Sequence, residues 1–488
     1  MPAIELIDTT VRDGNQSLWG AVGLTTPMVL QIAPAIDRVG YYAVDFTTST
    51  HMAISVRYHK ENPWERIRLA AAAMPRTPLS FLTTGMRFIS WERAGEDLMA
   101  LSYRLLIDAG IRRFQVMDPM NDAQAIVASA RTIRREGGGE LVAALVYTLS
   151  PLHDDDYYVR CAAIVAASPD VDRVYIKDPG GLLTPERART LIPAVRANVG
   201  GKPLELHSHC TIALAPFSYA VAAELGIDAL HTAAEPLGGG TSQPPAERTV
   251  ENLRAQGREA NLDLAALAEI SDYFRRLARA EGLPEGRPSE FDAAYFEHQM
   301  PGGMLTTMTR QLGEIGALHR LPEVLEETAR VRAELGFPIM VTPFSQVVGT
   351  QAVMNVLATE RYANVPDEVI RYTLGLFGSP PQPVDPDVRE RILARPRAAE
   401  LAAQPPMPEL AEFRRRYGPQ VSDEELLLRA TMPGAQVDAM LASGAARRSY
   451  DPDARTLLKL LRELAARPPL AGITIEKPGF LLQLNRRA

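Results

Sequence analysis

Two histidines two residues apart, His207 and His209, are the pair in this chain best suited to hold a metal. They end a short apolar run, Leu204–His207, with strand character, and along a strand alternate side chains face the same way. Two imidazoles on one face form a natural pair of metal ligands. Asp13, which follows another strand-like run in Asp8-Thr-Thr-Val-Arg12-Asp13-Gly-Asn-Gln16-Ser17, would add a carboxylate. Lys177 closes the apolar run Val174-Tyr-Ile-Lys177, where a buried amine must lose its charge, pair with an acid or be modified. A neutral amine there can add CO2 to become a carbamate, an anionic oxygen ligand. An ion pair with Asp178 or Asp13 is the other reading of the same spacing.

These residues can meet only if their elements place them at one end of one fold. The first half of the chain alternates short β-rich runs with amphipathic helical stretches. The runs are Ile4–Thr9, Tyr42–Phe46, Leu79–Thr83, Arg113–Met117, Leu141–Tyr147, Arg173–Lys177, Leu204–His207 and Ala229–Thr232. This alternation predicts an α/β (β/α)8 TIM barrel, whose chemistry sits at the C-terminal ends of the strands. Asp13, Lys177, His207 and His209 all fall at such ends. Thr26-Pro27, Asn62-Pro63 and Thr184-Pro185 read as helix starts, and Glu65 as the partner of Asn62 in a capping box.

Beyond about residue 285 the alternation gives way to long helical patterns. Phe377-Gly-Ser-Pro-Pro-Gln-Pro-Val-Asp-Pro386 is a stiff connector, and Gln404-Pro-Pro-Met-Pro408 a second break. The expected organisation is a barrel over 1–285, a helical extension closing the active site over 286–380, and a mostly helical C-terminal docking or oligomerisation region over 381–488. Two short strands are expected between Leu470 and Leu484.

Composition narrows the classes. The 488 residues carry 52 Lys+Arg against 59 Asp+Glu, a net charge of −7, with 46% hydrophobic and 23% charged residues. That is a globular composition, neither disordered nor fibrous. An acidic chain without an extended basic run argues against nucleic acid or an anionic membrane as partner. Two cysteines cannot form a disulfide framework, and no run of about 18 apolar residues is present, so a cytoplasmic protein without a membrane span is expected. The N-terminus lacks the pattern of a signal peptide.

At the level of whole motifs the chain resembles the carboxyltransferase domain of biotin-dependent enzymes: pyruvate carboxylases, oxaloacetate decarboxylase α subunits and the large transcarboxylase subunit. The resemblance is carried by Arg12-Asp-Gly-Asn-Gln-Ser17, Asn62-Pro-Trp-Glu-Arg66, Tyr175-Ile-Lys-Asp-Pro-Gly-Gly-Leu-Leu-Thr-Pro185 and His207-Ser-His209. It continues through Gly238-Gly-Gly-Thr-Ser-Gln-Pro-Pro245, Pro301-Gly-Gly-Met-Leu-Thr306 and Val341-Thr-Pro-Phe-Ser-Gln-Val-Val-Gly349. It implies that Asp13, His207, His209 and a carbamylated Lys177 hold a divalent ion, with zinc, manganese or cobalt all suited to mixed nitrogen and oxygen donors. It further implies that Arg12 and Gln16 grip the carboxylate and keto oxygen of a 2-oxo acid such as pyruvate or oxaloacetate. Thr306 would carry a proton between substrate and biotin, and the ion would stabilise the enolate. Thr241–Pro244 reads instead as a turn bracing the eighth strand.

The departures from this pattern cluster in the outer pocket. Thr84 stands where the family has a substrate-gripping arginine, with Arg87 three residues on as a possible substitute. Trp91 replaces a tyrosine and Ala53 an aspartate of the biotin pocket; Gln115 replaces an arginine and Cys210 an aspartate. The Met-Lys-Met hairpin of a biotinyl domain is not found, so biotin is expected in trans, on a carrier protein working with a separate biotin carboxylase subunit. A homo-oligomer, most simply a dimer, is expected. Two other readings fit part of the pattern: a biotin-independent aldol or Claisen enzyme of the hydroxymethylglutaryl-CoA lyase and isopropylmalate synthase type, and a non-catalytic scaffold.

Overall fold

The computed structural model describes residues 3–90, 92–451, 460–461, 463–464, 472–477 and 480–485. Eight parallel strands close on themselves: β1 (Glu5–Asp8), β2 (Ala43–Thr48), β3 (Leu79–Thr83), β4 (Ile111–Met117), β5 (Glu140–Val146), β6 (Arg173–Asp178), β7 (Leu204–Ser208) and β8 (Ala229–Thr232). β8 pairs with β1 from Glu5↔Ala229 to Asp8↔Thr232, which removes every free edge. The TIM barrel expected from the alternation is therefore present, each strand within two residues of its expected bounds. Between strands, helices such as Thr26–Val39, Glu96–Ala109 and Ala123–Arg135 lay one apolar face on the barrel.

Helix starts follow local chemistry with two corrections. The Asn62 side chain accepts from the N–H groups of Trp64 (2.9 Å) and Glu65 (3.4 Å), and Thr184 accepts from Arg187 (3.1 Å), as expected of caps. Thr26, however, is already helical and Thr25 holds the cap position; the Thr26 hydroxyl donates instead to Glu61 at 2.6 Å. Glu65 does not complete a box with Asn62. Its carboxylate accepts the Ala446 N–H at 3.0 Å, tying a distant segment to the barrel.

The lower barrel interior is a floor of buried ion pairs. Arg113 on β4 donates to Glu140 (2.6 Å) and Glu205 (2.5 Å), and Arg173 on β6 donates to Glu205 (2.5 Å) and Glu5 (2.5 Å). Glu205 lies two residues before His207 on β7, so the same strand face carries the floor and, one layer up, the first histidine.

A second apolar core gathers helices Gly302–Glu314, Leu321–Glu334, Phe344–Leu357 and Asp367–Thr373 around Met300, Val331, Phe344 and Tyr372. It lies over the barrel mouth, where Ile339 and Val341 pack on Met117, Val146 and Tyr175. The chain beyond 381 divides between the two cores. Pro386–Leu393 and Pro396–Ala402 complete the second through Ile392 and Leu401, whereas Phe413, Leu427 and Val437 from the following helices join the barrel core. The two short strands expected near the end of the chain are present as Gly472–Lys477 and Phe480–Asn485, and they pair antiparallel. Among the described residues no helix is long and apolar enough to cross a membrane.

Candidate metal centre and active site

β1 runs out into a single π-helical turn, Thr10–Gly14, which carries Arg12 and Asp13 over the barrel axis. On the far side, β6 and β7 pair with Lys177 opposite His207, so register brings the amine beside the imidazole. His209 lies just past the end of β7. Its backbone N–H donates to the Asp178 carbonyl (3.1 Å), and its Nδ1 meets the Thr241 carbonyl at 2.7 Å. Asp178 also accepts from the N–H groups of Leu182 and Leu183 (both 2.9 Å) and from the Ser208 hydroxyl (2.7 Å), which locks the Pro-Gly-Gly loop against β7.

The result is a convergent donor set. Asp13 Oδ2 lies 3.1 Å from His207 Nε2 and 3.5 Å from His209 Nε2, and the two Nε2 atoms are 3.2 Å apart. Lys177 Nζ is 3.4 Å from His207 Nε2 and 3.8 Å from Asp13 Oδ2. All four residues are buried. Donors bonded to one first-row cation sit about 3–3.5 Å apart, so the spacing fits a divalent ion. Asp13 Oδ2 points the same way: it is buried, makes no well-aligned hydrogen bond, and has Arg12 Nη2 at 3.2 Å besides the two ring nitrogens. A divalent cation among these atoms would satisfy it.

The electrostatics suit metal ligation. Burial works to raise the Asp13 carboxyl, but the adjacent Arg12 guanidinium outweighs it and holds the group well below the usual carboxylate range. Burial, reinforced by Lys177, keeps His207 neutral, the form that binds metal. Burial likewise pushes Lys177 down to about 8, against the pull of Asp13. Cys210, beside His209, is a buried thiol pushed up to about 12 and is not one of the converging donors.

The remaining expected site residues are placed as follows. The Arg12 guanidinium is pinned by Asp45, to which Nε donates at 2.8 Å, and Arg12 itself leans on Asp13; the Arg12 carbonyl faces His51 Nε2 at 3.2 Å. Gln16 is half-buried on the short helix Asn15–Trp19 that follows. Thr306 belongs to the helix Gly302–Glu314, whose start abuts the Thr241 loop so closely that a Cβ on Gly302 would lie 2.1 Å from the Thr241 methyl. The Thr306 side chain and residue 91, the position of Trp91, lie outside what the structure describes. Arg87 is buried, and its guanidinium donates to the Ser90 carbonyl of its own loop at 3.3 Å. Thr84 is half-buried and lines a cavity of about 510 Å³ together with Tyr103, Asp118 and Phe377. Gln115 accepts from the Tyr175 hydroxyl (3.1 Å), and Ala53 is half-buried on the helix Ser49–Ile54.

Gln243 was not among the expected site residues, yet its amide end group lies 2.9 Å from His209 Nε2 and 3.3 Å from His207 Nε2. The turn Thr241–Pro244 thus reaches the donor set as well as bracing β8. A polar side chain in the loop that follows a barrel strand, on the face where such barrels carry their chemistry, is the signal that could have found it.

Gly181 has φ +70°, and a Cβ there would lie 2.4 Å from the His209 carbonyl oxygen. Gly181→Ala should therefore cost about 2–3 kcal/mol, combining left-handed strain with displacement of the His209 backbone. Urea denaturation checks this, and an unchanged midpoint would mean that the two loops are not coupled.

Comparison with known proteins supports the same assignment. A family model described as a conserved carboxylase domain matches residues 296–457, and one described as HMGL-like matches residues 113–274. A pyruvate carboxylase subunit from Methanocaldococcus jannaschii is 37% identical over 391 residues, covering 80% of this chain and 68% of that one. The 2-oxoglutarate carboxylase large subunit of Hydrogenobacter thermophilus is 33% identical over 448 residues, covering 90% and 68%. The carboxyl transferase domain of Rhizobium etli pyruvate carboxylase superposes with a TM-score of 0.83 at 25% identity, covering 100% of this chain and 84% of that one. The barrel, the converging donors and these relatives agree: the chain belongs to the family of biotin-dependent carboxyltransferases that includes the Methanocaldococcus jannaschii pyruvate carboxylase protein.

Proposed function

We propose that this protein is the carboxyltransferase subunit of a multisubunit carboxylase, transferring CO2 between carboxybiotin and a 2-oxo acid. The observation that carries the reading is the buried convergence of Asp13, Lys177, His207 and His209 next to the Thr241 loop, against which the start of the Thr306-bearing helix packs. A divalent cation held by these residues, with zinc, manganese and cobalt all compatible, would act as a Lewis acid toward the keto oxygen. Biotin, arriving on a separate carrier protein loaded by a separate biotin carboxylase subunit, would supply the CO2.

The chain's own residues do the rest. Arg12, fixed by Asp45, offers a guanidinium to the substrate carboxylate, and a pinned donor loses little freedom on binding. Gln16, on the next turn, would meet the keto oxygen. Ile339 and Val341 cover the β4–β6 side of the mouth, which excludes water from a reaction that water would divert. Lys177 would complete the donor set as a carbamate: its ammonium first gives up one proton, the neutral nitrogen bonds to the carbon of CO2, and a second proton leaves that nitrogen, so two protons go to solvent and a cation becomes an anionic oxygen donor. An intact mass greater by one CO2 is the check. Thr306 moves the proton between the substrate carbon and the biotin nitrogen. Thr306→Ala should lower turnover about a hundredfold with metal content unchanged, and Thr306→Ser should recover most of it. Equal rates in all three proteins would remove Thr306 from the mechanism.

The test of function is carboxyl exchange with added biotinylated carrier, using both pyruvate and 2-oxoglutarate. The likeness to a 2-oxoglutarate carboxylase large subunit gives a reason to include the longer acid. No exchange with either acid in metal-loaded protein would defeat the reading. Activity without biotin would favour the lyase and synthase alternative, which the carboxylase-domain match speaks against. A cytoplasmic place and a homodimer complete the proposal.

A further inference from the structure

One buried side chain links the ion-pair floor to the donor set and belongs to neither. His231 lies on β8, fully enclosed, its ring nearly parallel to that of Tyr175 (12°, centroids 5.2 Å apart). Its Nε2 is 3.0 Å from Glu205 Oε2, and its Nδ1 is 3.2 Å from His207 Nδ1. The hydrogens along this chain are determined by what lies beneath it. Glu205 Oε1 receives N–H donors from Arg113 and Arg173, both at 2.5 Å, and a carboxylate so held can only accept. His231 Nε2 must then carry the hydrogen that meets Oε2. In a ring with one N–H this leaves His231 Nδ1 as a bare lone pair. Facing it, His207 Nδ1 must be the donor, so His207 Nε2 keeps its lone pair toward Asp13, His209 and Lys177.

We propose that His231, oriented by Glu205, is a positioning residue that fixes the tautomer of His207 and presents its Nε2 unprotonated to a divalent cation. The proposal rests on the metal reading above and deepens it. A second hydrogen bond on a metal-bound histidine ordinarily goes to a carboxylate, carbonyl or water. Here the carboxylate acts through an intervening imidazole, so the charged floor of the barrel sets the state of its mouth.

Two near-isosteric replacements separate the two bonds. His231→Asn puts its Oδ1 acceptor where Nδ1 stood and keeps the bond to His207. His231→Gln reaches the place of Nε2, keeps the bond to Glu205 and withdraws the acceptor from His207. His231→Phe removes both while keeping a ring against Tyr175. In calorimetric titration of metal-stripped full-length protein with Zn2+ or Mn2+, His231→Asn should bind within about threefold of the parent, while His231→Gln and His231→Phe should bind about 10–100-fold more weakly. Metal-free parent protein with ¹⁵N-labelled histidine should show His207 as the Nδ1–H tautomer, its signals assigned by their loss in His207→Ala. An Nε2–H tautomer, or parent-like affinity in His231→Gln, would overturn the proposal, and the tautomer decides the matter should the variants fail to fold. A parent protein that binds neither metal while showing the Nδ1–H tautomer would instead defeat the metal reading and leave the hydrogen-bond chain intact.

Discussion

Replacing His209 by alanine should leave the barrel folded, strip the mouth of metal and lower carboxyl transfer by at least about a thousandfold. The side chain sits at the rim, where its bonds are to the Thr241 carbonyl and the other donors, so its loss opens little of the core. The electrostatic consequence is large. Asp13 and His207 remain, but with one nitrogen fewer the cation is held by an incomplete set, and a Lewis acid contributes several kcal/mol to stabilising charge on the keto oxygen; about 4 kcal/mol corresponds to about a thousandfold. Elemental analysis, the carrier-dependent exchange assay and a urea denaturation curve on the same preparation separate the effects. Full metal content in folded His209→Ala would show that the ion is held elsewhere.

What the sequence made legible follows the range over which each signal acts. The spacing of His207 and His209 encodes a shared strand face, because alternation is local. Their meeting with Lys177 depends on the β6–β7 register, and with Asp13 on a π-helical turn after β1; the expected barrel put all four at one end, and motif resemblance joined them into one ligand set. Arg113, Arg173 and Glu205 are visibly odd in strands that are otherwise apolar, yet which acid pairs with which base is decided only when the barrel closes. His231 sits in Ala-Leu-His-Thr with no motif around it, and its partners lie 24 and 26 positions away. Glu65 shows the opposite failure. A correct local rule for a capping box was overridden by the Ala446 N–H, a partner 381 positions distant. Chemistry placed by strand alternation was readable, whereas chemistry placed by closure of the barrel was not.

Arg113→Met should be the most destabilising single change in the barrel interior, lowering stability by about 3–5 kcal/mol. Arg113 is 1% exposed and Glu205 0%, so water cannot replace the lost guanidinium, and methionine fills most of the volume without supplying a donor. Removing one cation from a buried ionic cluster leaves its acids short of compensating charge in a low-dielectric interior, which is why the cost exceeds the net contribution of the intact pair. Arg173 still donates to Glu205 Oε1, so the loss should fall toward the lower end of that range. Neutralising the acid as well, in Arg113→Met with Glu205→Gln, should recover part of it, because an uncharged amide is cheaper to bury than a carboxylate that has lost one of its two arginines. Urea midpoints for the two proteins measure both effects. A single-variant loss below about 1 kcal/mol would mean that the floor is not held by this pair. The double variant also changes what His231 rests on: an amide at 205 can present either a donor or an acceptor to His231 Nε2. If the state of the mouth is set from below, metal affinity should fall in the double variant even as stability returns, and that divergence is one that simple repair of the core would not produce.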